Sequence, residues 1–194
     1  EARADLFALY YLADPKLVEL GLVPDPDAYK AQYMSYIRNG IFTQFCRVEL
    51  GKQNTEAHMQ DRKLIAQWCY EHGLNDNVIE KKTLNGKTYF VINDFDALRG
   101  LFGRLLAEIQ RIKSEGDYEA GKALVEDYAI QIDYNLHKEV LERYAGLDLK
   151  PYKGFVNPDI VPVEKDGKIV DYEVRYCDDF IEQQLAYGRN YKTL

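Results

Sequence analysis

The sequence is poor in the residues that make metal sites and disulfides. Its three histidines, His58, His72 and His137, are followed by Met, Gly and Lys, so no His-Glu pair occurs anywhere. Its three cysteines, Cys46, Cys69 and Cys177, are odd in number and widely spaced, with no CxxC pair. Neither a disulfide framework nor a zinc knuckle is indicated. The thiols fall in apolar helical patterns and read as buried, reduced side chains of an intracellular protein. No apolar run approaches the roughly 20 residues that cross a bilayer, and no signal-peptide pattern is visible, so no membrane partner is expected. Positive charge is also scarce. Lys and Arg total 25 against 32 Asp and Glu, a net charge of −7. Such a chain repels phosphate backbones, so no nucleic-acid partner is expected. Internal repeats, low-complexity tracts and long linkers are absent.

What is present is globular in balance. Hydrophobic residues make up 46% of the 194 positions and charged residues 29%, which suits one domain or one lobe of a larger protein. There are 16 Tyr and 8 Phe. Tyr buries its ring while keeping a polar tip, so these side chains are expected at a core edge or along a groove.

Periodicity and punctuation give the elements. Residues 1–13 read as a helix ended by Asp14-Pro15. A short turn of helix follows, stopped by Gly21. Asp25-Pro26-Asp27 starts a helix whose Tyr29, Tyr33, Tyr36, Ile37 and Phe45 recur at helical spacing towards Val48, interrupted by Gly40. Asn54-Thr55 is the expected cap of a third helix ending at His72-Gly73. Asn85-Gly86 between two β-prone runs marks a hairpin. Asn93 or Asp94 caps a long helix to about Ser114. Gly116-Asp117 opens another to about Ile132, and a further helix covers residues 136–144. After Pro151 and Pro158, Asp166-Gly167 marks a second hairpin, and residues 178–187 close the chain as a helix. The fold class is mainly α (α+β): a helical lobe with two small β-hairpins, read as a single domain over residues 1–194.

Two segments carry chemistry. Glu1-Ala2-Arg3-Ala4-Asp5 opens the first helix, where residues four apart share a face. Glu1 and Asp5 therefore present carboxylates one turn apart, with Arg3 pointing elsewhere. One carboxylate can bind a metal while the other receives the free ring N–H of a histidine ligand. Acids at a helix start also answer the helix dipole, without any further role. The second segment is Glu56-Ala57-His58-Met59-Gln60-Asp61-Arg62. His58 and Arg62 share a face, and a neutral imidazole can donate to a developing oxyanion. His72 at a helix end reads as structural, and His137 lies in a polar stretch with no partner pattern.

Glu1 to Asp5, with Leu6 and Leu9-Tyr10-Tyr11-Leu12 behind it, resembles the Glu-Glu-x-Arg-Ala-Glu/Asp signature of the dipeptidyl peptidase III family, peptidase family M49. Ala57-His58-Met59-Gln60 and Arg62 resemble a second family segment, and so do Gly116 to Leu124 and Tyr128-Ala129. The tail from Pro151 to Pro158 is similar to that of bacterial members. The resemblance implies a zinc ligand at Glu1, an outer-shell carboxylate at Asp5, a catalytic histidine at His58 that supports the transition state, and a substrate-side arginine at Arg62. It implies Zn2+ as cofactor, short peptides as substrates and release of N-terminal dipeptides. The family's other zinc ligands and its general base lie in a His-Glu-x-x-x-His helix that this sequence lacks. The chain therefore reads as the C-terminal segment of the zinc-binding lobe, inactive alone, with the missing N-terminal part of the same chain as its partner. A Nudix-like domain precedes the peptidase in some bacterial relatives. Cytoplasmic location follows from the thiols and the analogy. Arg143, Lys150 and Lys153 are late basic residues with which the substrate's C-terminal side could be held, and none is singled out. The rival reading is a non-catalytic helical module with an aromatic groove that binds peptides or proteins.

Overall fold

The computed structural model describes residues 1–147, 156–177 and 179–191. They fall into two compact units, one within Glu1–Asp148 and one within Leu149–Leu194. The architecture is mainly α, with eight α-helices and two separate antiparallel hairpins among the described residues. None of the described helices is long and apolar enough to cross a membrane.

In the first unit, α1 (Ala2–Leu12) is nucleated when the Glu1 carbonyl accepts the N–H groups of Ala4 and Asp5, at 2.8 and 3.0 Å. Asp14 caps the short α2 (Pro15–Glu19), whose first residue is the proline that ended α1. α3 (Ala28–Ile41) stops well short of Val48, and the chain continues as a 3₁₀ turn, Thr43–Arg47. Gly40 is not the breaker. It lies inside α3 at the crossing with α4 (Ala57–His72), where a Cβ would come within 2.4 Å of the Arg62 carbonyl oxygen and 2.6 Å of Ala66 Cβ. The helix ends instead where Gln44, buried in the turn, donates to the carbonyls of Gly40 and Met59 at 3.0 and 2.9 Å.

The cap of α4 is Glu56, not Asn54 or Thr55. Its carboxylate accepts the N–H groups of His58 and Met59 at 3.1 and 2.8 Å. Asn54 is fully buried and serves another element: its backbone N–H reaches the Ile130 carbonyl and its amide the Ala129 carbonyl. Those carbonyls belong to a single π turn, Glu126–Ile130, that ends the helical stretch beginning with α6 (Tyr118–Val125). Lys63 donates to a third carbonyl of that turn, Tyr128, at 2.8 Å. Burial draws the Lys63 amine down to about 8. The last carbonyls of a helical stretch have no partner within it, and here α4 and its leader supply the donors.

β1 (Ile79–Leu84) and β2 (Lys87–Ile92) join through Asn85-Gly86, both at positive φ, the turn the sequence prescribes. Asp94 caps α5 (Phe95–Glu115), and Gly116, in the left-handed region, ends it. Asp133 caps α7 (Tyr134–Ala145). The core gathers Leu6 and Leu9 of α1, Tyr33 and Ile37 of α3, Ile65 and Cys69 of α4, and Leu98, Phe102 and Leu105 of α5. Tyr33 buries its ring there and donates its hydroxyl to the Leu9 carbonyl at 2.7 Å, which ties α3 to α1.

The second unit contains β3 (Asp159–Lys165), β4 (Lys168–Arg175) and α8 (Phe180–Tyr191), with Asp166-Gly167 at the turn. Gln183 is buried and bonds both backbone groups of Asn157. The cysteines do not all match their expectation. All three are free and Cys69 is buried, but Cys46 and Cys177 are partly exposed, and Cys177 lies outside any helix.

Candidate active site

Both segments singled out by sequence meet at the N-terminal ends of α1 and α4. α1 brings Glu1 and Asp5 on one face, and the Glu56 cap fixes the first turn of α4, where His58 projects. His58 Nδ1 lies 3.3 Å from Glu1 Oε2, and each side chain is half exposed or more. Asp5 accepts the Tyr36 hydroxyl at 2.8 Å, so α3 fixes its carboxylate. Burial, and next the Asp5 charge, push the Tyr36 hydroxyl well above its usual range, which keeps it a proton donor. Arg3 points to the opposite side of α1 and donates to Gln110 of α5 at 3.1 Å.

Arg62 sits one turn beyond His58. Its Nε donates to Gln44 Oε1 at 3.2 Å. Gln44 is itself anchored by the two carbonyl contacts across the α3–α4 crossing, so the arginine is held from behind. Asp61 is the neighbour that sequence reading passed over. It is only 9% exposed, and its Oδ2 has no hydrogen-bond partner among the described residues. Burial, followed by the Asp5 carboxylate, pushes the Asp61 carboxyl up to about 6. The site is thus three acids, Glu1, Asp5 and Asp61, with Tyr36, His58 and Arg62 around them.

Glu1 offers a carboxylate of the right chemistry for zinc, and Asp5 a fixed acceptor. A catalytic zinc takes three protein ligands. Among the described residues no group of three His, Cys, Asp or Glu side chains is arranged to hold a metal. Glu1 and Asp5 supply fewer ligands than such a zinc takes.

The other candidates lie elsewhere. His72 stacks on Trp68 at 3.8 Å and donates to its carbonyl at 2.9 Å, closing the end of α4. His137 is buried rather than set in a polar surface, and Nε2 reaches the Val48 carbonyl at 3.0 Å. Arg143 is committed to structure: it donates to the Thr88 carbonyl at 2.8 Å and lies between the rings of Phe42 and Tyr89. Lys150 and Lys153 fall outside the described residues. Two large cavities, of about 860 and 990 Å³, are lined by α3, β2 and α7 and by α1 and α5 respectively, and neither includes Glu1, Asp5 or His58.

Tyr36 and Gln44 were also missed as site residues. Tyr36 shares the helical spacing of the core tyrosines, which hides its polar tip. Gln44 sits where a continuing helix was expected. Comparison with protein families matches the chain to Peptidase family M49 across residues 1–183. A search of curated proteins finds none with significant similarity.

Proposed function

Because the chain belongs to peptidase family M49, and so to an enzyme class that hydrolyses peptide bonds, we propose that it is the C-terminal part of a zinc-dependent dipeptidyl peptidase acting on short peptides. The carrying observation is the approach of His58 Nδ1 to within 3.3 Å of Glu1 Oε2. It joins two signature segments that lie far apart in sequence.

In this reading Glu1 is one protein ligand of zinc. The other ligands belong to a His-Glu-x-x-x-His helix that lies N-terminal to this sequence. A zinc held by Glu1 and those ligands would supply Lewis-acid chemistry, polarising a scissile carbonyl and acidifying water. Asp5, held by Tyr36, accepts the ring N–H of a histidine ligand and fixes its tautomer. His58 donates to the oxygen that gains charge as the carbonyl becomes tetrahedral. Arg62, backed by Gln44, steadies the substrate beside it. The enzyme works in the cytoplasm, and the 194 residues alone are inactive.

The test uses the complete protein. Zinc content and hydrolysis of dipeptidyl arylamides are measured for the wild type and for Glu1→Ala. The wild type should carry one zinc and lose activity to chelators, and Glu1→Ala should lose both metal and turnover. A complete protein that is metal-free and indifferent to chelators would refute the reading.

A further inference from the structure

The proposed chemistry gives no role to Asp61, yet Asp61 is the anomaly of the site. It lies on α4 between His58 and Arg62, almost wholly buried, with Oδ2 closed to solvent and unpartnered among the described residues. A buried acceptor without a donor costs about 1–3 kcal/mol, and more when charged. Tyr36 of α3 gives its hydroxyl proton to Asp5, Arg62 gives its Nε–H to Gln44, and His58 Nδ1 faces Glu1. The Glu1 ammonium lies near enough to act on the carboxyl through its charge, yet it makes no hydrogen bond to Oδ2. The carboxylates facing it, Glu1 and Asp5 of α1, are acceptors and cannot help.

We infer that Asp61 is a positioning residue whose buried carboxylate oxygen accepts an N–H from the group that completes the metal site. The inference rests on the zinc reading above. An N–H suits the place better than a hydroxyl or a second metal bond. Three carboxylates converge there and favour a donor that is cationic or polarised by a metal. The described side chains do not form a metal cage. Asp61 thus works alongside Asp5: α1 supplies one fixed acceptor and α4 another, so that an entering ligand is oriented from two helices.

The experiment uses the complete protein and zinc itself as the probe, with Asp61→Ala and Asp61→Asn. Zinc affinity is measured by competition with a chelating dye, and melting temperature with and without zinc. Loss of an outer-shell partner typically weakens metal binding about 10–100-fold. Asp61→Ala should therefore bind zinc at least about 10-fold more weakly. Asp61→Asn keeps an acceptor oxygen and should recover a clear part of that loss. The melting deficit of Asp61→Ala should be larger with zinc than without it. Three results would overturn the proposal: Asp61→Ala within twofold of wild type, Asp61→Asn as weak as Asp61→Ala, or equal melting losses with and without zinc. If wild type binds zinc and the variants match it, only this inference falls. If wild type binds none, the zinc reading falls and takes this one with it.

Discussion

At the scale of single residues, neighbouring acids behave differently because of what surrounds them. Asp5 has a hydroxyl donor, and Tyr36→Phe removes it. In the complete protein that change should cost about 1 kcal/mol of stability and weaken zinc binding about 10-fold, read by melting and by metal competition. Asp61 Oδ2 has no donor among the described residues, and the raised pKa of this carboxyl reverses the usual pH dependence. Its favourable contribution is fully present below the ordinary value of 3.8 and is lost as pH rises through about 6. Asp61→Asn should therefore stabilise the 194-residue chain at pH 7.5 and leave it nearly unchanged at pH 3.5. The gain at pH 7.5 should be at most about 3 kcal/mol, the equivalent of the rise from 3.8 to about 6. A melting series against pH checks both ends. The same substitution weakens zinc binding in the complete protein if a donor meets Asp61 there, so the two measurements should move in opposite directions. Arg143 makes a further case. Arg143→Ala should destabilise by about 1–2 kcal/mol through the lost carbonyl contact and ring packing. It should leave KM for peptides unchanged, since the guanidinium is spent on Thr88, Phe42 and Tyr89.

At the scale of elements, the α3–α4 crossing decides the geometry behind the site. Gly40→Ala would drive a Cβ into the Arg62 carbonyl and Ala66, at 2.4 and 2.6 Å. Both obstacles are fixed parts of a helix, so the helices must separate. The expected cost is about 2–3 kcal/mol, with turnover of the complete protein falling more than its stability suggests, because Arg62 moves with α4 away from Gln44. Parallel melting and kinetic measurements on Gly40→Ala check this. The same glycine shows why some of the fold was legible and some was not. Hairpin turns at Asn85-Gly86 and Asp166-Gly167, and the caps at Asp94 and Asp117, follow from local backbone chemistry and stand where the sequence puts them. Gly40 looked like an interruption because its partner lies on another helix. The end of α3, the Glu56 cap and the π turn all depend on contacts between elements, such as Asn54 reaching Ala129. No local pattern carries them.

At the scale of the whole molecule, the family, the mainly helical class and the two signature segments were readable from the chain. The arrangement around them was not. Spacing placed Glu1 and Asp5 on one helical face, and Tyr36 and Asp61 joined them only through packing. His137 shows the same limit in reverse: its polar sequence neighbours gave no hint of burial against Phe45 and Val48. A molecule-wide prediction concerns metal. The 194-residue polypeptide should retain no stoichiometric zinc after gel filtration and should release no dipeptide, whereas the complete protein should do both. Metal analysis of the two proteins side by side decides it.

The contact between Glu1 and His58 has a consequence for timing. Each side chain belongs to the first turn of a different helix, and neither helix can bring the other's group into place while it remains undocked. A newly made chain whose helices have formed but not yet packed therefore has Glu1 and His58 apart. If Glu1 and His58 act as proposed, hydrolytic competence in the complete protein arrives only with tertiary assembly.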